Sequence, residues 1–198
     1  MEQINKVKSI SIWIFIVPFF AVNACLILTT QFHELNLIPH QHKISYPFPY
    51  IDGGVSISRT ARYFPTYLIF KPAMFLTSYL LIIYWLNNRR IIDYFDTENK
   101  YKNKIVYFGI ASAIALIFHS IFLGVKFDND IYKLFRRVIM FVFIIFEIVA
   151  QAYLVAALYS IKNKIFQHIN KNILKLKFFL VRTLIVVAII SIPIISLP

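Results

Sequence analysis

Glu147 and Gln151 stand four residues apart in FIIFEIVAQAYLVA, a stretch that is otherwise apolar. At helical spacing the two share one face. An ionisable group inside an apolar run is costly, so it needs a partner or a use. His119 in LIFHSIF, Lys71 before Pro72, Asn23 in AVNAC and Arg182 in LVRTL raise the same question.

Two explanations compete for this set. In the first, Lys71 snorkels to the interface, Asn23 bonds across helices and Glu147 pairs with one neighbour; polar residues commonly join membrane helices in this way. In the second, Glu147, His119, Lys71 and Asn23 converge on a polar cavity, with Glu147 as its acid.

A second group lies in the polar stretch SYPFPYIDGGVSISRTARYFP and just before it. His40 and His42 form an H-x-H pair that can face a metal from a strand, and His33 offers a third ligand. No cysteine partner and no H-E-x-x-H accompany them, so they read as solvated or interfacial histidines. No metal and no cofactor are expected. The Gly-Gly of DGGVS lacks a following G-K-[ST], which excludes a phosphate loop. Asp52–Gly54 reads as a turn, where glycine supplies a positive φ. Asp52, Gly54, Arg59 and Arg62 are candidates for an anionic head group, and arginine suits phosphate.

The elements that position these residues follow from composition. The chain has 198 residues, of which 59% are hydrophobic and only 15% charged, with mean hydropathy +0.68. A soluble domain carries about a quarter charged residues. One soluble core cannot hide this much apolar surface, so a bilayer is the expected solvent. The fold class is all-α: a polytopic transmembrane helix bundle in one membrane domain, residues 1–198. Five spans of about 20 residues are expected, the length that crosses ~30 Å of hydrocarbon. They are Ile10–Thr30, Thr66–Leu86, Ile105–Val125, Val138–Tyr159 and Phe178–Leu197, with a non-cytosolic loop at 31–65. The last closes in SIPIISLP and has a re-entrant alternative.

Around the first span, Lys6, Lys8 and AVNAC resemble a signal peptide with a cleavage site. The apolar run continues through LIL after Cys25, which favours an uncleaved anchor. Cys25 is the one cysteine, so an intrachain disulfide is excluded.

Orientation follows from Lys and Arg. Lys6, Lys8, Arg89, Arg90, Lys100, Lys102, Lys104, Lys162, Lys164, Lys171, Lys175 and Lys177 make twelve on one side. Lys43, Arg59, Arg62, Lys126, Lys133, Arg136 and Arg137 make seven on the other. The N-terminus is therefore expected in the cytosol. Counted from the non-cytosolic ends at 1.5 Å per residue, Lys71 lies ~7 Å deep, His119 ~9 Å, Asn23 ~10 Å and Glu147 ~13 Å. Four candidates from four spans thus fall in one half of the membrane. Arg182 lies ~6 Å from the opposite face and can snorkel. The net charge of +12 is divided among short loops, which disfavours nucleic acid. KNKIFQHINKNILKLK, with five Lys in sixteen residues, reads as a surface helix attracted to anionic lipid.

The loop motif P-Y-I-D-G-G with a Pro downstream resembles the DRAM superfamily, which includes the damage-regulated autophagy modulators and the post-GPI-attachment lipid-remodelling factor, with a CWH-type N-terminal domain. Pro49, Tyr50, Ile51, Asp52, Gly54 and Pro65 carry the likeness, although the family's Ser before the Asp is missing. Phe146–Glu147 is similar to the family's Glu beside an aromatic in its last span. The family norm is six spans, one more than expected here. The resemblance implies an endomembrane or plasma-membrane protein (Golgi, endoplasmic reticulum or lysosome) tied to lipid handling, GPI-anchor lipid remodelling or autophagy. It implies no catalytic constellation.

Membrane lipids and other membrane proteins are the expected partners. A small oligomeric transporter or channel subunit is the alternative, though no inverted repeat supports it. A non-catalytic scaffold is another. A zinc hydrolase needs several intramembrane histidines, and only His119 lies within a span. The balance leans away from an enzyme.

Overall fold

The computed structural model describes residues 2–30, 60–125, 130–166 and 170–196. Among these the secondary structure is helical, with no strand. The helices are α1 (Glu2–Thr30), α2 (Thr66–Phe95), α3 (Lys102–Phe122), α4 (Asp130–Ser160), the single turn α5 (Lys162–Ile165) and α6 (Lys171–Ser196). Four of them, α1 to α4, are long and apolar enough to cross a membrane. The fold is a multi-span helical bundle. α6 forms where the last span was expected, but its first half carries Lys175, Lys177 and Arg182.

Several helices overrun the expected spans. α2 continues past Leu86 to Phe95, and α4 begins at Asp130 rather than Val138. Hydropathy marks the apolar core of a span, whereas the i to i−4 ladder continues into polar turns until something stops it. At the end of α2 that stop is Asp96, whose extended backbone caps the helix while its N–H still bonds the Ile92 carbonyl.

Neighbours in sequence are neighbours in space. α1 packs on α2, α2 on α3, α3 on α4, and α4 on α6. One face of each helix is buried at helical spacing. On α1 it is Ala21, Cys25 and Thr29; on α2 it is Phe70, Met74, Leu81, Trp85 and Ile92; on α3 it is Ile105, Gly109, Ser112, Leu116 and His119. The opposite faces expose large apolar side chains, such as Trp13, Phe15 and Phe20 on α1. That is the surface a lipid-facing helix needs.

Polar side chains on buried faces satisfy themselves on their own helix. Thr77 donates to the Ala73 carbonyl, Ser78 to Met74 and Asn88 to Tyr84, each at 2.8 Å. In a bilayer no water is available to do this, so the i−4 carbonyl takes the bond.

Successive helices run antiparallel. At one end, Cys25 Sγ near the end of α1 reaches the Thr66 carbonyl at the start of α2 (3.4 Å). At the same end Tyr132 on α4 donates to the Phe122 carbonyl closing α3 (2.8 Å). At the opposite end Asn99, in the α2–α3 link, donates to Asp96 (3.0 Å) and to Ser160 at the end of α4 (2.9 Å). The bundle thus has an N-terminal face, with the start of α1, and a far face, with the start of α2.

Candidate functional site

α3 meets both α2 and α4 through small residues. Gly109 lets α3 approach α2 so closely that a Cβ placed there would lie 2.3 Å from the Trp85 ring. Small residues permit this approach, and it is a major source of cohesion between membrane helices. One turn on, Ser112 is fully buried. Its hydroxyl lies 2.8 Å from the Gly109 carbonyl and 2.8 Å from Glu147 Oε2. Gln151 Nε2 donates to Glu147 Oε1 at 3.0 Å. The Glu147 carboxyl therefore has a partner on each oxygen, one from α3 and one from its own helix. Trp85 Nε1 is buried and lies near the same carboxyl, in a looser approach than the two bonds from Ser112 and Gln151.

This clamp fixes the register of α3 against α4. From Ser112 to His119 is seven residues, and from Glu147 back to Arg136 is eleven. Those intervals are close to two and three full turns, so both residues fall on the clamped faces. His119 and Arg136 accordingly come within electrostatic reach of each other on the far-face side.

Arg62 joins them from the segment leading into α2. Thr60 and Ala61 are buried, and the Thr66 hydroxyl is shared between the carbonyls of Thr60 (2.6 Å) and Tyr63 (2.7 Å). Gly124, at φ 88°, closes α3 in the left-handed region that favours glycine. A Cβ there would sit 3.0 Å from the Arg62 carbonyl, so the turn is pressed against this segment. The charges of Arg62 and Arg136 lie close enough to act on one another. Three buried nitrogens in this group, Arg62 Nε, Arg136 Nε and His119 Nδ1, have no hydrogen-bond partner among the described residues.

Two guanidiniums, always charged, repel each other more strongly as the local dielectric falls. Buried polar groups are nearly always bonded. A like-charge pair with an orphaned nitrogen on each arginine, and a third on His119, therefore describes a place suited to an anion. Among the described residues no carboxylate pairs with either arginine; the ion pairs are Lys6–Glu2 and Lys102–Asp93.

The other candidates fall as follows. Lys71 Nζ donates to the Ile121 carbonyl at 3.3 Å and lies 5.9 Å from the Tyr67 ring centroid, at the edge of this same end. Asn23 donates to the Phe19 carbonyl of its own helix at 2.7 Å. Glu147 and Gln151 form the clamp, two turns or more from the arginines. The set expected in one half-membrane is thus divided between a mid-bundle clamp and a far-face basic group. Arg182 lies in the first half of α6, towards the N-terminal face. Asp52, Gly54, Arg59, His33, His40 and His42, and with them most of the expected loop at 31–65, lie outside the described residues. No group of His, Cys, Asp or Glu among the described residues could hold a metal ion.

Ser112, Trp85 and Arg136 were not among the site residues expected from the sequence. Ser112 hides in a small-residue run, GIASAIA, whose value is visible only once α3 meets α4. Arg136 carried a usable signal, the eleven-residue interval to Glu147.

A family model described as Frag1/DRAM/Sfk1/Cwh43P N-terminal domain matches residues 7–196. No curated protein and no solved structure matches the chain significantly.

Proposed function

This chain belongs to the Frag1/DRAM/Sfk1/Cwh43P N-terminal domain family, and from that premise we propose that it handles membrane lipid by holding a lipid phosphate at the far face. The observation that carries the reading is that Arg62, Arg136 and His119 gather within electrostatic reach, with three buried nitrogens that find no partner among the described residues. A phosphate there would accept from the guanidiniums and relieve their repulsion. Lys71, at the same end, adds positive charge at head-group depth. Glu147, Ser112 and Gln151 act through register: they hold α3 against α4 so that His119 meets Arg136.

The orientation follows the Lys/Arg asymmetry and the processes follow the resemblance. The N-terminus lies in the cytosol, α6 crosses as a fifth span, and the far face is lumenal or extracellular. GPI-anchor lipid remodelling and autophagy-related regulation, in Golgi, endoplasmic reticulum, lysosome or plasma membrane, are the processes in which such a site would serve. No step of catalysis is part of this reading.

The experiment is lipid retention by the purified full-length protein in nanodiscs. Arg62→Gln/Arg136→Gln should weaken retention of a phosphate-bearing lipid by about tenfold or more, since a charge-assisted hydrogen bond is worth roughly 1.5–3 kcal/mol and 1.4 kcal/mol is tenfold. Unchanged retention by a folded double variant sinks the proposal. Tags at the two termini, probed in intact cells, test the topology: both on one side would remove the fifth span.

A further inference from the structure

A second feature lies at the opposite end of the bundle. A groove of about 200 Å³ opens there between α1, α2, α4, α5 and α6. Val7, Ile91, Leu158 and Leu174 give it an apolar floor, and Lys8 and Lys177 stand on its lining. α1 and α6 flank it without an extensive contact between them, so the groove has a lateral side. On that side both helices present apolar surface, with Ile12 and Ile173 exposed.

The charge in the groove is one-signed. Among the described residues no acid lines it. The one acid of α1, Glu2, is already held by Lys6 at 2.7 Å. The acid of α2, Asp93, is held by Lys102 at 2.6 Å. α6 contains no acid at all. Lys177 Nζ instead donates to the Tyr84 hydroxyl at 3.0 Å, which fixes its ammonium at the groove wall without neutralising it. The surrounding face carries the twelve Lys and Arg of the N-terminal side, a field that attracts anionic lipid.

We infer that this groove binds an anionic phospholipid of the leaflet on the N-terminal face, with its phosphate between Lys8 and Lys177 and an acyl chain along Val7, Ile91, Leu158 and Leu174. An amphipathic occupant fits because the wall is apolar within and cationic at two points. An acidic peptide lacks the apolar tail the floor is suited to, and a neutral lipid lacks the charge. This site is separate from the far-face phosphate site, and neither depends on the other.

The test is a competition read by native mass spectrometry on the full-length protein released from nanodiscs containing phosphatidylglycerol and phosphatidylcholine. The wild type should retain phosphatidylglycerol in preference. Lys8→Ala/Lys177→Ala should lose at least about tenfold of that preference, the scale of one charge-assisted contact. Lys100→Ala/Lys104→Ala removes equal charge from the same face outside the groove and should keep it. Val7→Phe, which fills the groove and leaves all charge in place, should lower retention and gives the answer should the first double variant not fold. In an Arg62→Gln/Arg136→Gln background, which removes the far-face contribution, Lys8→Ala/Lys177→Ala should still lower the preference that remains. Equal loss in the Lys100/Lys104 control, or full retention in Lys8/Lys177 or in Val7→Phe, overturns the inference.

Discussion

The hydroxyl of Ser112 lies 2.8 Å from Glu147 Oε2 and ties the middle of α3 to the middle of α4. Gln151 completes the arrangement by donating to the other carboxyl oxygen at 3.0 Å. An acid buried among apolar side chains is thereby given a structural task, and what it positions lies two to three turns away.

The first prediction concerns that acid. Glu147→Gln keeps its shape, still accepts from Ser112, and lets the Gln151 amide turn over to accept in its place. Thermal stability in detergent should change little. Glu147→Leu leaves the Gln151 amide unpartnered and should cost roughly 1–3 kcal/mol. Adding Gln151→Leu should recover much of that loss, because both partners are then apolar. Additive losses in the pair would refute the coupling.

Gly109→Ala tests the close approach. Its Cβ would sit 2.3 Å from Cγ of Trp85, whose ring is fully buried and has no room to retreat. Overpacking of this kind costs about 1–3 kcal/mol. A smaller partner, Trp85→Leu, should make the same Gly109→Ala change far less costly. Equal melting temperatures for wild type and Gly109→Ala would show that α2 and α3 are not in contact at this point.

Asn99→Ala tests the N-terminal face. Asn99 is 6% exposed and bonds Asp96, Ser160 and the Tyr101 N–H. Its loss leaves the Ser160 hydroxyl a partner in Ala157 but frees the Tyr101 N–H. A cost of roughly 1–3 kcal/mol is expected, read as faster proteolysis or hydrogen exchange in the α2–α3 link. Unaltered exchange in that link would remove Asn99 from this role.

Cys25 offers a labelling test of the α1–α2 contact. Its side chain has no exposure and reaches the Thr66 carbonyl. A membrane-permeant maleimide should label it only slowly in the folded protein and fast in denaturant, as read by intact mass. Rapid labelling of the folded protein would place α1 away from α2.

Much of this molecule was legible in the sequence because a bilayer makes simple demands. A backbone in hydrocarbon must bond itself, so runs of about 20 apolar residues become helices whatever their neighbours do. That rule located the cores of α1 to α4 and the place of α6, and the P-Y-I-D-G-G loop with Phe146–Glu147 identified the family. The spacing of Glu147 and Gln151 likewise predicted one shared face, and the two are bonded. What the sequence left open was partnership across helices. Depth from the membrane surface grouped Asn23, Lys71, His119 and Glu147 together, but depth carries no rotation about the helix axis. Rotation is set by the contact of Gly109 with Trp85 and of Ser112 with Glu147. Only those contacts decided that Glu147 joins a clamp and that His119 and Arg136 come near Arg62; the packing of α1 on α2 and of α6 on α4 decided that Lys8 and Lys177, 169 positions apart, line one groove.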